Sequence, residues 1–255
     1  MAPQFLILNH ILENFIRMRK QKRNLEKLAV LVVGNGKLAK ELLEGLGGLR
    51  ISRVVCWEER ECLQGDPSIV VHAGSGRELD DVMEFCSGTG SILLDLSTGD
   101  SKFPDTITFP VVVCPNVNLQ VLYFMAMVKH SSRHFRGQDI KISESHQASK
   151  STKPGTAIYL AKSLGVSESE IKSERDPKVQ KEVLGIPSPF LDRHAFHQIV
   201  IRSPDVEIRL ETRVLGKSAY APGLSKIIDV VAQRRLDPGH YGIVDFVIDD
   251  IYKYF

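Results

Sequence analysis

The sequence has little that would mark a specialised class of protein. Basic residues number 33 and acidic residues 31, so the formal charge of +2 is too balanced to indicate nucleic acid as a partner. No stretch reaches the roughly 18 uninterrupted apolar residues of a membrane span, and we expect no membrane partner. Aromatic residues make up only 7% of the 255 residues, whereas a hydrophobic content of 43% is ordinary for one large globular domain or two modest ones.

Cysteine is also scarce. The four cysteines are Cys56, Cys62, Cys86 and Cys114. None of them pairs with another at the gap of two to four residues that a zinc knuckle uses, so we expect no metal site. Most of them lie in or beside apolar stretches, where buried free thiols are usual. We therefore expect unpaired thiols in a reducing compartment, the cytoplasm.

Residues 1–27 differ in composition from the rest of the chain. Apolar residues recur at helical spacing in the first part of this segment, and basic residues crowd its second part. The pattern predicts a basic helical extension that packs on the body of the protein or on another subunit. An organelle presequence, which is also amphipathic and basic, and a true start at Met18 stay open as alternatives.

A glycine turn follows the first predicted strand. Residues 28–33 form a continuous apolar run, which is typical of a strand buried on both faces, and a helix follows the turn. This order of strand, glycine turn and helix is the context that a dinucleotide-binding fingerprint needs. Gly34 permits the tight turn, Gly36 lets the backbone approach a pyrophosphate, and the helix amides favour an anion. The residues of the turn are Gly34, Asn35, Gly36, Lys37 and Leu38.

The end of the second predicted strand offers contacts to the ribose of a nucleotide. Residues 51–57 are predicted to form this strand, and Glu58 follows it. An acid about 20 residues after the glycines can bind the ribose hydroxyls of NAD. Arg60 or Lys37 could instead bind the additional phosphate of NADP, so both NADH and NADPH stay open.

Further strands and helices alternate along the first half of the chain. This alternation predicts a parallel sheet with right-handed crossovers. Because an open sheet of this kind binds its ligand at the carboxyl ends of the strands, the loops that follow the strands are expected to line a nucleotide site. The loop residues are Ala73, Gly74, Ser97, Thr98, Gly99, Pro115 and Asn116.

One loop carries the residues with catalytic chemistry. We predict a strand from Asp139 to Ser143, then a polar loop, then a helix that begins near Pro154. The loop brings one histidine, two lysines and a helix N-terminus together, which is a good receptor for a carboxylate. Lys150 can donate a proton, and His146 can position or polarise a substrate.

The same loop resembles the signature loop of the 4-hydroxy-tetrahydrodipicolinate reductase (dihydrodipicolinate reductase) family of lysine biosynthesis. The residues that carry the resemblance are Glu144, His146, Lys150, Pro154, Gly155, Thr156 and Ala157. The resemblance extends from about Leu28 to Phe255. It includes the turns at residues 97–99 and 115–118 and the segment 219–223.

The resemblance implies a two-domain α/β architecture. Residues 28–117 and 221–255 are expected to form a Rossmann-like parallel-sheet domain that binds the nucleotide. Residues 118–220 are expected to form a smaller α+β domain with a mixed sheet. This second domain would bind the substrate and join subunits into a homotetramer or a homodimer.

The resemblance also implies an activity, which is hydride transfer from NADH or NADPH to a small cyclic dicarboxylate, 4-hydroxy-tetrahydrodipicolinate, on the diaminopimelate route to lysine. By position, Lys150 matches the proton-donating lysine of the family, and His146 matches the first histidine of its pair. Gly155 and Thr156 match the pair whose backbone and hydroxyl hold a substrate carboxylate. Lys153 adds a cationic partner for the second carboxylate.

The loop departs from the family pattern where the substrate is held. Gln147, a further substrate-binding candidate, replaces the second histidine, and Thr152 replaces an acid. The turn Pro154-Gly155-Thr156 is one residue shorter than in the family. These changes leave open a relative that reduces another imine or carbonyl acid, and a nucleotide-binding homologue without catalysis.

The remainder of the second domain gives three further expectations. Residues 196–202 and 206–214 are predicted to pair as a hairpin whose second strand alternates apolar and charged side chains. The charged face is either solvated or an interface between subunits. His194 and His197 are predicted to be structural. Residues 166–187 are predicted to be a surface loop with some helix.

Overall fold

The computed structural model describes residues 27–74, 76–97, 103–150 and 154–246. The predicted N-terminal extension lies outside the described residues except for Lys27. Three candidate site residues, Thr98, Gly99 and Lys153, also lie outside them.

The described residues form ten strands and seven α-helices. The strands are β1 (Leu28–Val33), β2 (Ile51–Cys56), β3 (Ser68–His72), β4 (Ile92–Asp95), β5 (Pro110–Val113), β6 (Asp139–His146), β7 (Lys172–Glu174), β8 (His194–Ser203), β9 (Val206–Leu215) and β10 (Gly239–Gly242). The helices are α1 (Lys37–Gly45), α2 (Leu79–Thr89), α3 (Leu119–Ser131), α4 (Gly155–Leu164), α5 (Pro177–Glu182), α6 (Ala221–Val231) and α7 (Ile243–Phe246).

The first sheet has six parallel strands in the order β10-β5-β4-β3-β1-β2. β2 pairs with one edge of β1, and β3 pairs with the other. The loops that leave β1 and β3 therefore face each other at a topological switch point, where sheets of this kind bind ligands. The predicted fold class, a Rossmann-like parallel sheet joined to a smaller part with a mixed sheet, is confirmed.

Both faces of the parallel sheet are covered. Val30 and Val32 of β1 pack into one apolar cluster, whereas Leu31 and Val33 pack into a second cluster on the opposite face. A strand that is apolar on both sides has no face to offer to water, which is why helices cover both sides of the sheet. The first cluster continues through α3 and α4 into the second sheet, so the two sheets share one core.

The second sheet has the order β7-β6-β8-β9. β7 is parallel to β6, and the other two pairs are antiparallel, so the sheet is mixed. The predicted hairpin is confirmed as β8 and β9. Along β9 the apolar side chains of Ile208, Leu210 and Val214 are less exposed than their charged neighbours, as the alternation predicts, whereas Val206 at the first position is exposed, against that prediction.

Two predictions about this sheet are wrong. β6 does not end at Ser143 but continues to His146, paired with β8 throughout. The polar residues after Ser143 look like a loop in the sequence because their buried partners lie on distant strands, and such contacts override local preference. Residues 166–187 are more than a surface loop with some helix, because they also supply the edge strand β7.

The chain crosses between the two parts at two adjacent places. The side-chain amide of Asn118 donates to the carbonyl oxygen of Ala219 at 2.9 Å. At Gly223, a side-chain carbon would lie 2.0 Å from the carbonyl oxygen of Val117, so only glycine fits there. These contacts lie where the sequence places the domain boundaries, and the boundaries themselves stay a prediction.

We expect Gly223→Ala to lower the free energy of unfolding by about 2 kcal/mol, because its methyl group would overlap the carbonyl of Val117 and push the crossings apart. Gly88→Ala is the matched control. A methyl group at Gly88 in α2 meets nothing within 4 Å and should stabilise the helix by about 0.5 kcal/mol. Urea denaturation measures both values, and equal stabilities would contradict the close packing.

Candidate functional site

A cavity of about 440 Å³ lies between the carboxyl edge of the parallel sheet and the second sheet. It brings together most of the predicted site residues. The parallel sheet contributes Gly36, Lys37, Leu38, Ala73, Gly74, Ser97, Pro115 and Asn116. The second part contributes His146, Gln147, Lys150, Gly155 and Thr156. Among the described residues, the predicted site residues outside this lining are Gly34, Asn35, Glu58 and Arg60.

The end of the cavity beside the parallel sheet is built from two packed loops. Gly34 after β1 has a φ of +112°, and a side-chain carbon there would lie 2.9 Å from the carbonyl oxygen of Ala73 after β3. Gly36 precedes α1 without a side-chain cap, and the space beside its α-carbon is open. The first turn of α1 thus offers backbone amides with room for a phosphate, which fits the pyrophosphate of a dinucleotide.

Glu58 and Arg60 lie in a 3₁₀ helix (Trp57–Leu63) that directly follows β2. The guanidinium of Arg60 stacks on the ring of Trp57 at 4.5 Å and donates to the Trp57 carbonyl oxygen at 3.2 Å. Neither Glu58 nor Arg60 is among the residues that line the cavity, and their contacts to a ribose stay predictions.

A buried pair that was not predicted supports the end of the cavity beside the parallel sheet. His72 ends β3 and Asp95 ends β4, and Nδ1 of the histidine lies 2.9 Å from Oδ1 of the aspartate. The same oxygen accepts a hydrogen bond from the amide of Ser97 at 3.1 Å. Asp95 therefore holds the main chain at Ser97. The sequence does carry a signal for this pair, because a titratable residue stands at the end of each of the two neighbouring strands.

Glu144 on β6 is fully buried although it carries a carboxyl group. Nδ1 of His146 donates to Oε2 at 2.7 Å, and Arg175 donates to Oε2 at 3.1 Å and to Oε1 at 2.6 Å. Burial alone would raise the pKa of Glu144, but these hydrogen bonds outweigh it and lower the pKa to about 2. The group is therefore a carboxylate, and since a carboxylate only accepts, Nδ1 of His146 carries a proton.

Two histidine rings meet at the cavity. The ring centroids of His146 and His197 are 5.6 Å apart with an interplanar angle of 74°. Burial lowers the pKa of both imidazoles, to about 3 for His197, which is therefore neutral near pH 7. Nδ1 of His197 lies 3.3 Å from the hydroxyl of Thr212, while its buried Nε2 has no partner among the described residues. A ligand that pairs with this nitrogen would remove the cost of an unsatisfied polar group.

Lys150 is half-buried in the loop after β6 and lines the same cavity. Burial lowers the pKa of its ammonium, Glu144 raises it and Arg175 lowers it, with a net downward shift. Its amide donates to the Gln147 carbonyl oxygen at 2.9 Å, and its own carbonyl accepts from Nε of Arg175 at 3.0 Å. An ammonium with a lowered pKa releases its proton more readily, which suits a general acid.

Helix α4 begins at the cavity, as predicted. Pro154 precedes it and gives no side-chain cap to the amides of the first turn. The hydroxyl of Thr156 donates to the Pro115 carbonyl oxygen and accepts from the amide of Asn116, both at 3.0 Å. Because the hydroxyl proton is already used, a carboxylate here would be held by the amides of Gly155 and Thr156 rather than by the hydroxyl.

Among the described cavity-wall residues that were not predicted as site residues, four carry a guanidinium, an imidazole or a phenol. They are Arg193, His194, His197 and Tyr220. Nε2 of His194 lies 3.0 Å from the hydroxyl of Ser145 on β6. The earlier expectation that both histidines are structural stays a prediction. His194 and His197 lie on β8 and reach the cavity because β8 pairs with β6, a long-range contact that no local sequence pattern signals.

The chain is similar in sequence to known proteins. The family model described as dihydrodipicolinate reductase, C-terminus, matches residues 120–247. The chloroplastic 4-hydroxy-tetrahydrodipicolinate reductase 2 of Arabidopsis thaliana is 36% identical over 152 residues, which are 52% of this chain and 42% of that protein. The Arabidopsis reductase 1 is 34% identical over 148 residues, which are 52% of this chain and 43% of that protein. The matches thus cover less than half the length of these relatives.

A solved structure shows the same fold. It is the dipicolinate-bound dihydrodipicolinate reductase from Paenisporosarcina sp. TG-14, with a TM-score of 0.59 and 16% identity over 86% of this chain and 99% of that chain. A parallel sheet with a cavity at its carboxyl edge, faced by a mixed sheet, defines a two-part Rossmann-like α/β protein. Because the family model matches half of this chain, the chain belongs to the dihydrodipicolinate reductase family.

The described residues contain neither a candidate metal site nor a candidate membrane-spanning helix. Across residues 27–246, leaving aside the gaps at 75, 98–102 and 151–153, no group of three or more His, Cys, Asp or Glu side chains could hold a metal ion. Within the same ranges, no helix has both the length and the apolar character needed to cross a membrane.

We expect Glu144→Gln to lower the free energy of unfolding by about 3 kcal/mol at pH 7, because it leaves the guanidinium of Arg175 without its buried partner. The pKa of Glu144 is lowered to about 2 in the folded chain, so its stabilisation is present above pH 4.5 and is lost as the pH falls toward 2. The difference in the free energy of unfolding between wild type and Glu144→Gln should therefore become smaller as the pH falls from 4.5 toward 2.

Glu211→Gln is the control for this prediction. Glu211 pairs with Arg213 on the exposed face of β9, where an ion pair contributes about 0.5 kcal/mol or less. Denaturant unfolding at several pH values measures both variants. A Glu144→Gln gap that stays constant down to pH 2 would show that the wild-type group is not a carboxylate with a lowered pKa.

Proposed function

We propose that this chain is an NAD(P)H-dependent oxidoreductase that reduces 4-hydroxy-tetrahydrodipicolinate to tetrahydrodipicolinate in diaminopimelate and lysine biosynthesis. The observation that carries the proposal is the meeting of the glycine turn, Lys150 and the N-terminus of α4 at one cavity. The family and the names of the matched relatives support it.

The parallel sheet would hold the nicotinamide nucleotide. Gly36 and the first turn of α1 fit its pyrophosphate, and the loops after β3 and β4 line the wall between this turn and His146. A reduced nicotinamide bound there would supply the hydride. The other candidate contacts are Gly34, Asn35, Lys37, Leu38, Ala73, Gly74, Ser97, Thr98, Gly99, Pro115 and Asn116.

The choice between NADH and NADPH depends on the residues after β2 and at the start of α1. Glu58 would bind the ribose hydroxyls of NADH, whereas Arg60 or Lys37 would bind the additional phosphate of NADPH. The ammonium of Lys37 already donates to the carbonyl oxygen of Asp192 at 2.9 Å, so binding a phosphate would cost it this contact. The proposal therefore includes both NADH and NADPH.

Lys150 donates the proton in this reaction. The 4-hydroxyl of the substrate leaves as water, hydride adds to the conjugated imine that remains, and an adjacent ammonium supplies the proton that neutralises the resulting negative charge. Burial of Lys150 lowers its pKa and makes this transfer easier. His146, whose ring is oriented by Glu144, positions the substrate beside it.

The substrate carries two carboxylates, and the cavity offers cations and amides to both. One carboxylate would bind the amides of Gly155 and Thr156, which no side chain caps. Gln147 and Lys150 line the same cavity and would contact the ligand. Lys153, which lies outside the described residues, is proposed as a second cationic partner.

The domain division and the assembly belong to the same proposal. Residues 28–117 and 221–255 would form the nucleotide domain, and residues 118–220 the substrate domain, which close on each other when substrate binds. The second sheet would join subunits into a homotetramer or a homodimer. The matched relatives are named chloroplastic, and free thiols fit either an organelle or the cytoplasm.

We expect Lys150→Met to lower kcat by about 100-fold or more, because it removes the general acid. The assay follows loss of NAD(P)H absorbance, with substrate made in situ from pyruvate and aspartate semialdehyde by the preceding enzyme. Lys178→Met, at an exposed lysine of α5, is the control and should keep wild-type activity. No turnover with either cofactor, in a folded chain that binds nucleotide, would contradict this reductase and favour a relative with another acid substrate or a non-catalytic homologue.

We also expect kcat to fall on the alkaline side of the pH profile. The lowered pKa of Lys150 places this fall below the ordinary lysine value of 10.5, because the reaction needs the ammonium form. The pH dependence of kcat measures it, with the residual activity of Lys150→Met as the control. An alkaline limb that is unchanged in this variant would assign the titration to another group.

A further inference from the structure

The guanidinium of Arg175 contacts β6, which carries His146, and the loop that carries Lys150. It lies directly after β7, and its side chain is 22% exposed. Two of its nitrogens donate to the two carboxylate oxygens of Glu144, at 2.6 and 3.1 Å. Nε donates to the carbonyl oxygen of Lys150 at 3.0 Å, and a further bond reaches the Glu174 carbonyl oxygen at 2.9 Å.

This set of contacts needs the shape of arginine. A planar guanidinium presents five donors in a fixed fork, which matches a carboxylate on one side and leaves Nε for a carbonyl on the other. A lysine ammonium carries the same charge but cannot reach both acceptors in this geometry. The fork therefore ties the side chain of Glu144 to the main chain of Lys150.

The consequences reach both candidate catalytic side chains. Glu144, held by Arg175, accepts from Nδ1 of His146 and so fixes the orientation and tautomer of the ring. The carbonyl of Lys150, held by the same guanidinium, fixes the main chain from which the ammonium extends.

We propose that Arg175 is a positioning residue, which holds the ring of His146 through Glu144, and the main chain of Lys150, in one arrangement ready for reaction. This inference rests on the proposed function. Arg175 itself acts only through these partners and does not need to touch substrate.

A second contact keeps the fold when Arg175 is changed. The side-chain amide of Gln180 on α5 donates to the carbonyl oxygen of His146 at 2.7 Å and to that of Glu174 at 3.3 Å. The segment that carries Arg175 therefore has a contact with β6 that does not use the guanidinium, and we expect both Arg175 variants to fold.

The charge of Arg175 also acts on its neighbours. The titratable groups that face it or its partners are Glu144, His146, Lys150, Glu174, His194 and His197. Arg175 lowers the pKa of His146, Lys150 and His194. Removal of its charge should raise all three values, and the alkaline limb of kcat should move to higher pH.

Two variants separate geometry from charge. Arg175→Lys keeps the charge and loses the fork, whereas Arg175→Met loses both. We expect both to lower kcat about 10- to 100-fold, with the dissociation constant of the nucleotide unchanged. Only Arg175→Met should move the alkaline limb upward. Arg202→Met removes an exposed arginine that pairs with Glu207 on the surface, and this control should behave as wild type.

A measurement that needs no turnover tests the role of Arg175 independently of the proposed function. The ¹⁵N chemical shifts of the His146 ring report its tautomer, and we expect both Arg175 variants to lose the pure Nδ1–H form. Wild type that binds nucleotide without turnover would defeat the proposed function, while these shifts still decide the role of Arg175. Wild-type kcat and wild-type His146 shifts in Arg175→Lys would overturn the inference. Failure of both variants to fold would also overturn it, because Arg175 would then be a structural residue.

Discussion

A single buried carboxylate organises the candidate site. Glu144 is fully buried, and its charge is tolerated only because Arg175 and His146 supply its hydrogen bonds. This requirement keeps β6 extended past Ser143, draws the segment with β7 onto the sheet edge, and sets the face from which His146 meets the cavity. The loop with Lys150 then starts from a fixed strand end rather than from a flexible connection.

The cavity depends on the fit between the two sheets. Asn116, at the end of the last predicted nucleotide loop, donates to Thr156 at the start of α4, so a contact joins the two walls. On the other side, Glu41 of α1 accepts from the amide of Tyr220 at 2.6 Å and pairs with Arg193. The shared apolar core beneath these contacts explains why the glycine turn after β1 and the loop after β6, about 110 residues apart, line one cavity.

Much of this fold can be predicted from local sequence patterns. The apolar run before Gly34 and the alternation along β9 each predict their element, since periodicity and turn residues act over short distances. The missed features all depend on long-range pairing. The roles of Arg175 and His197 follow from strands β7 and β8 lying beside β6, and the need for glycine at position 223 follows from a contact with Val117. No local pattern encodes these contacts.

The most direct test of the central claim, that one cavity joins nucleotide and dicarboxylate, is a crystal structure of the chain with NADPH and pyridine-2,6-dicarboxylate. We predict that the pyrophosphate binds the first turn of α1 beside Gly36. We also predict that one carboxylate binds the amides of Gly155 and Thr156, with Nζ of Lys150 within hydrogen-bond distance of the ligand. A dicarboxylate bound away from α4, or a nucleotide bound away from the glycine turn, would contradict the claim.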